Sequence, residues 1–149
     1  MAFTGNAFCT SAKVGFLTGT YTPLADTMKI ALYTNLATLN NTTLVYEPIT
    51  GQGAFEVVGT GYNIGGVVLS GAAIGSDLTS PGTAWITFTV NPTWTTATFT
   101  ARGALIYDST RSNAAIAVLD FGAEKTATAG TFTVQIPAAA AATALIRIA

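Results

Sequence analysis

Trp85-Ile-Thr-Phe-Thr-Val90 decides how the rest of the chain reads. Ile86, Phe88 and Val90 fall on one side of an extended chain, and Trp85, Thr87 and Thr89 on the other. That is a period of two, which a helix cannot use. Asn91-Pro92 stops it. The alternation recurs outward. Met28, Ile30 and Leu32 alternate with Lys29, Ala31 and Tyr33. Residues 97–108 predict the longest strand, and 115–121 its return across a polar turn at 108–113. Both faces are apolar near the centre of this hairpin, which predicts a place in the middle of a sheet. Shorter strands are predicted at 44–46, ended by Pro48, at 55–58, from Val67, at 131–136, ended by Pro137, and at 145–148. Turns or loops are expected at Asn40-Asn41, Gly51-Gln52-Gly53 and Gly65-Gly66, and over 76–82 and 122–130.

This makes eight to ten short strands with no long helix between them. The expected fold is all-β, a single β-sandwich or jelly-roll-like domain over residues 28–149. Residues 1–27 differ. Phe3, Phe8, Val14, Phe16 and Leu17 are interspersed with glycines, and 7–17 can form one short helix with Phe8, Ala12 and Phe16 on one face. So short a piece is unstable alone. It must dock on its own domain or reach a neighbour as an arm. Residues 138–142 are all alanine, too few for a stable helix after Pro137, and read as a tight loop packed under a neighbour.

Composition narrows the chemistry. The 149 residues are 50% hydrophobic and 9% charged, with net charge −1, 27 threonines, no histidine and one cysteine. About 25% charged is ordinary. Histidine acid/base catalysis, a Ser-His-Asp triad and His-metal sites are excluded. One cysteine excludes an intrachain disulfide and an Fe–S cluster. Six scattered basic residues argue against nucleic acid as a partner. No 18-residue apolar run is present to span a membrane, and no secretory signal is expected at the N-terminus. A mean hydropathy of +0.49 with so little charge predicts surface buried against other subunits.

The carboxylates do not form a catalytic pair by pattern. Asp108 precedes a turn containing Arg111, so turn capping or an ion pair is expected. Asp120 is expected to bond turn amides, Arg102 or Lys125. The glycine clusters lack nucleotide-binding spacing. Cys9 reads as a small buried apolar residue, without a base to activate it. Trp85 and Trp94, with five tyrosines, offer a carbohydrate-binding platform as an alternative to core packing. No catalytic residue, metal ligand or cofactor is expected, and the chain is not expected to be an enzyme.

Five blocks carry a resemblance: 28–34 (MKIALYT), 59–66 (GTGYNIGG), 100–107 (TARGALIY), 115–122 (AIAVLDFG) and 131–137 (TFTVQIP), with Gly5-Asn6 ahead of them. Their order and spacing resemble a group of small structural proteins of tailed bacteriophages. The resemblance implies a virion component, either a capsid cement or decoration protein or a tail-associated one, assembled in the host cytoplasm and placed on the capsid surface. It carries no catalytic residues. It implies the major capsid protein as partner, and a homotrimer fits the physics of such a clamp. Phe3, Phe8, Phe16 and Leu17 are the expected contact residues. A tail or fibre-base component is the first alternative, and a carbohydrate-binding β-sandwich module the second.

Overall fold

A computed structural model describes residues 3–47, 55–79 and 82–149. The fold is all-β, with two antiparallel sheets and one short helix. In chain order the elements are β1 (Ala7–Phe8), α1 (Thr10–Leu17), β2 (Met28–Tyr33), β3 (Val67–Val68), β4 (Ala72–Asp77), β5 (Thr83–Phe88), β6 (Thr93–Asp108), β7 (Ala114–Thr133) and β8 (Ile146–Ile148). The larger sheet has the order β1-β7-β6-β2-β3 and the smaller one β4-β5-β8.

The β6–β7 hairpin is the spine of the molecule. Its inner half, where Ala104-Leu105-Ile106 pair with 117–119, sits between β1 and β2. Ala104, Leu105, Ile106 and Val118 are accordingly buried, as a doubly apolar strand requires. β2 pairs with β6 from Met28↔Asp108 to Tyr33↔Gly103, and Ile30, Ala31 and Leu32 are inaccessible. The outer half of the hairpin is one-sided. Trp94, Phe99 and Phe132 pack against one another and against Tyr62, while Thr93–Thr133 and Thr100–Thr126 hydroxyl pairs ladder across the strands.

Several expectations are corrected. Residues 122–130 are strand, not loop: β7 runs unbroken for 20 residues and is longer than the 16 of β6. Residues 44–46 and 55–58 make only single bridges, Val45 to Ala114 and Glu56 to Tyr33. Ser76 and Asp77, expected in a loop, end β4. Residues 134–136 lie beyond the end of β7. The helix starts at Thr10, because Ala7 and Phe8 pair with Val118 and Ala117 instead. Residues 138–142 do turn tightly, with the Ala144 N–H donating to the Ala140 carbonyl at 2.8 Å, but most of these alanines are exposed. The expectations for Pro48, 51–53, Ser80 and Pro81 fall outside the described residues.

The N-terminal stretch lies on its own domain. Phe3 is 4% exposed and bridges to Leu39. Gly103 has no side chain, and the Phe3 ring occupies the space a Cβ there would need. The Cys9 N–H donates to the Ile116 carbonyl at 2.9 Å and that of Thr10 to Asn41 at 2.8 Å. Ala12 and Gly15 face inward, Gly15 beneath the Tyr21 ring.

Candidate interaction surface

The polar groups of the interior serve the fold. Glu56 is 2% exposed. Its Oε2 accepts the Tyr46 hydroxyl at 2.8 Å, and its Oε1 accepts the Tyr62 hydroxyl at 2.6 Å and the Gly65 N–H at 2.8 Å. Tyr107 donates to the Gly65 carbonyl at 2.8 Å and stacks on Tyr46 at 4.3 Å. Burial, with the Glu56 charge beside it, pushes the Tyr107 hydroxyl up to about 12 and those of Tyr46 and Tyr62 further. A carboxylate with three donors and no open side is a structural tie, not an acid or base with access to substrate. No sequence pattern singled it out.

Two further carboxylates fasten the N-terminal stretch. Asp120 Oδ1 accepts from Arg102 and, at 2.8 Å, from the Gly122 N–H, while Oδ2 accepts the Gly5 N–H at 3.1 Å. The Asp120 N–H donates back to Asn6 Oδ1 at 2.7 Å. Burial works against ionisation here, but the Gly122 N–H and Arg102 outweigh it and hold the carboxyl below its ordinary range. Asp108 caps the 108–113 turn, accepting the N–H groups of Thr110 and Arg111. Arg111 pairs with Asp26 at 3.2 Å, not with Asp108. The turn-capping and amide-bonding roles expected for Asp108 and Asp120 are thus what the geometry shows. Among the described residues no group of three or more His, Cys, Asp or Glu side chains is placed to hold a metal ion. Cys9 is fully buried, and burial pushes its thiol up to about 11.

The surface is unusual in what it leaves wet. Leu17 is 87% exposed, Leu78 91% and Val58 75%, and Val14, Leu24, Leu36 and Leu44 are each more than half exposed. A groove runs between α1 and β8, lined by Phe8, Lys13, Phe16, Leu17, Arg147 and Ile148. Phe8 and Phe16 are half-buried and pack 5.8 Å apart, with the Lys13 ammonium 5.8 Å above the Phe8 ring. Of the four expected contact residues, the groove brings together Phe8, Phe16 and Leu17. Phe3 lies elsewhere, inside the core. The two tryptophans also part company: Trp94 is 3% exposed under its aromatic neighbours, while Trp85 is half-buried against Gly75. No helix among the described residues is long and apolar enough to cross a membrane.

No family model, curated protein or solved structure matches the chain.

Proposed function

We propose that the chain is a non-enzymatic structural protein of a bacteriophage virion, a capsid cement that bridges neighbouring major capsid subunits and acts as a homotrimer on a β-sandwich frame. The observation that carries this reading is the exposed apolar ridge of α1, Val14 and Leu17. Apolar surface left in water on a chain with so few charges is the mark of a docking face. The order of the five sequence blocks supports the phage setting. A clamp of this kind does no chemistry. It binds the assembled shell, not the dispersed subunit, and stabilises it by that preference. Many weak contacts sum over the particle.

The test is binding to capsids lacking the protein. Leu17→Asp, with Val14→Asp as a second variant, keeps the β-type circular dichroism and loses binding. Full binding by both variants overturns the α1 assignment, and binding of the intact protein to tails alone replaces the cement reading with the tail or fibre-base one. Val14 and Leu17 are exposed, so neither substitution removes a core contact.

A further inference from the structure

Among the described residues no strand pairs with either edge of the smaller sheet. There β4 and β8 each pair with β5 alone, and the far edge of β8 borders the groove beside α1. Open edges are ordinarily blunted by charge, proline or a bulge, because their free N–H and C=O groups pair with any strand that arrives. From Ala72 to Ser76, β4 carries neither charge nor proline. Ile74 is 50% exposed, and Leu78, just past its end, is 91% exposed.

The two edges are chemically opposite. β4 offers Asp77 and no cation. β8 offers Arg147, which also donates to the Ala142 carbonyl at 2.8 Å, and the groove it borders adds Lys13. The register through β5 aligns Gly75, Trp85 and Arg147, and Ile74, Ile86 and Ile146. Asp77 is two residues from Gly75, so Asp77 and Arg147 project from the same face, and Ile74 and Ile148 from the other. One face therefore offers a polar match and the other an apolar match along the same seam.

The geometry points to head-to-tail self-association, in which β4 of one copy enters the groove along β8 of the next and extends the small sheet from copy to copy. The occupant is a second copy because the opposite charges lie on two edges of one chain. Pairing β4 with β4 would supply Asp77 with no cation, and β8 with β8 would oppose two Arg147 side chains. With Arg147 of the next copy level with Gly75, Asp77 stands on its diagonal, about 7–8 Å away, within reach of a long side chain. Head-to-tail contacts close into rings when the rotation permits.

Sedimentation equilibrium of the purified full chain, with no other virion component present, tests this independently of the cement reading. The intact protein self-associates. Asp77→Arg and Arg147→Asp each weaken association on the order of tenfold by turning an attraction into a repulsion. Both changes in one chain restore it. An intact protein that stays monomeric overturns the proposal. So does association untouched by either single reversal, or a double variant no better than the singles. Circular dichroism of each variant separates loss of the seam from loss of the fold.

Discussion

Asp108 and Asp26 are joined through Arg111, whose N–H donates to Asp108 Oδ1 at 3.1 Å and whose Nε donates to Asp26 Oδ1 at 3.2 Å, where the N-terminal stretch joins the β6–β7 turn. Asp108 is fully buried and its Oδ2 meets no donor of the chain. Its Oδ1 accepts the Thr110 and Arg111 N–H groups at 2.9 and 3.1 Å. A buried carboxyl with an unpartnered oxygen and the Asp26 charge nearby favours its protonated form. Around them the Thr27 carbonyl accepts both the N–H and the hydroxyl of Ser109, and the Thr27 N–H donates to Thr110. The pair thus sits inside the joint that holds residues 22–27 to the spine.

Burial first, then the Asp26 charge, raise the Asp108 carboxyl above its ordinary value. Burial also works against the Asp26 carboxylate, but Thr22 and Arg111 outweigh it and hold that carboxyl low. The folded chain therefore binds the Asp108 proton more tightly than the unfolded chain does. Its stabilising effect is full below the ordinary carboxylate range and is lost as pH rises through the raised value. Asp26, Asp77 and Asp120, all held low, act below that range and in the opposite sense. An asparagine copies the protonated form, uncharged and with an oxygen for the two turn amides. Asp108→Asn should be at least as stable as the parent at pH 7 and should flatten the decline between pH 4 and 7 in urea unfolding. Asp108→Ala should cost about 1–3 kcal/mol at either pH, since the turn amides lose their acceptor. A parental slope in the asparagine variant refutes the raised Asp108 carboxyl.

Glu56 gives a second prediction, of opposite kind. Its two buried oxygens take up three donors at 2.6 to 2.8 Å. Glu56→Gln puts an NH₂ where an oxygen must accept, and Glu56→Leu leaves all three donors bare. Expected losses are about 2–3 kcal/mol for glutamine and about 3–5 kcal/mol for leucine. Tyr46→Phe removes one donor and one stacking hydroxyl and should cost about 1 kcal/mol. Equilibrium urea unfolding measures all three. A leucine variant as stable as the parent would show that the carboxylate contributes nothing net.

These two sites mark where the sequence was legible and where it was not. β2, β5 and the inner halves of β6 and β7 were readable because packing on at least one face imposes a period of two. Residues 122–130 were not: Gly122, Glu124, Lys125 and Thr126 are exposed on a ribbon with little to pack against. Ala127, opposite Phe99, is the one buried residue of this stretch, too little to mark a face, and the register slips between Ala97 and Phe99 blur what remains. The end of β4, Ser76 and Asp77, was missed because polar residues on an open edge carry no apolar signal. Asp108 was legible because turn chemistry is local, and Asp120 only in its bonds to Gly122 and Arg102, not in those to Gly5 and Asn6. Glu56 was not, because its partners come from 6 to 10 residues away and acquire meaning only when β2 brings the Tyr62 hydroxyl to the Leu32 N–H. Its one visible sign was a carboxylate inside an apolar run, Phe55-Glu-Val-Val58.

Gly103 tests whether the N-terminal stretch is part of the fold. A side chain at 103 collides with the Phe3 ring and the Leu119 carbonyl. The ring can leave, but the carbonyl belongs to the central strand pair. Gly103→Ala should therefore cost more than Phe3→Ala, whose loss of a buried ring is worth about 3–5 kcal/mol. It should also free Arg102, which lies 5.7 Å over that ring and bonds Asp120. If both variants melt with the parent, the docking of residues 3–9 contributes no stability.

Cys9 reports on the same docking without altering it. It stands at the start of α1, its side chain is inaccessible, and burial holds its thiol near 11 despite the nearby Lys13 charge. At pH 8 very little is thiolate, and that fraction is shielded, so a disulfide reagent can react only when the stretch opens. Labelling of the free protein should be slow and should speed up in step with the stability lost in Gly103→Ala. Bound to capsids, the two modes of contact diverge. If α1 docks through Val14 and Leu17 while still seated on β7, Cys9 stays protected on the particle at least as well as in solution. If the stretch detaches to reach a neighbouring subunit, its packing against Ile116 and Asn41 is given up and the thiol becomes labelled faster on the particle than off it. We expect continued protection, and rapid labelling on capsids would replace the docked helix with a swung-out arm.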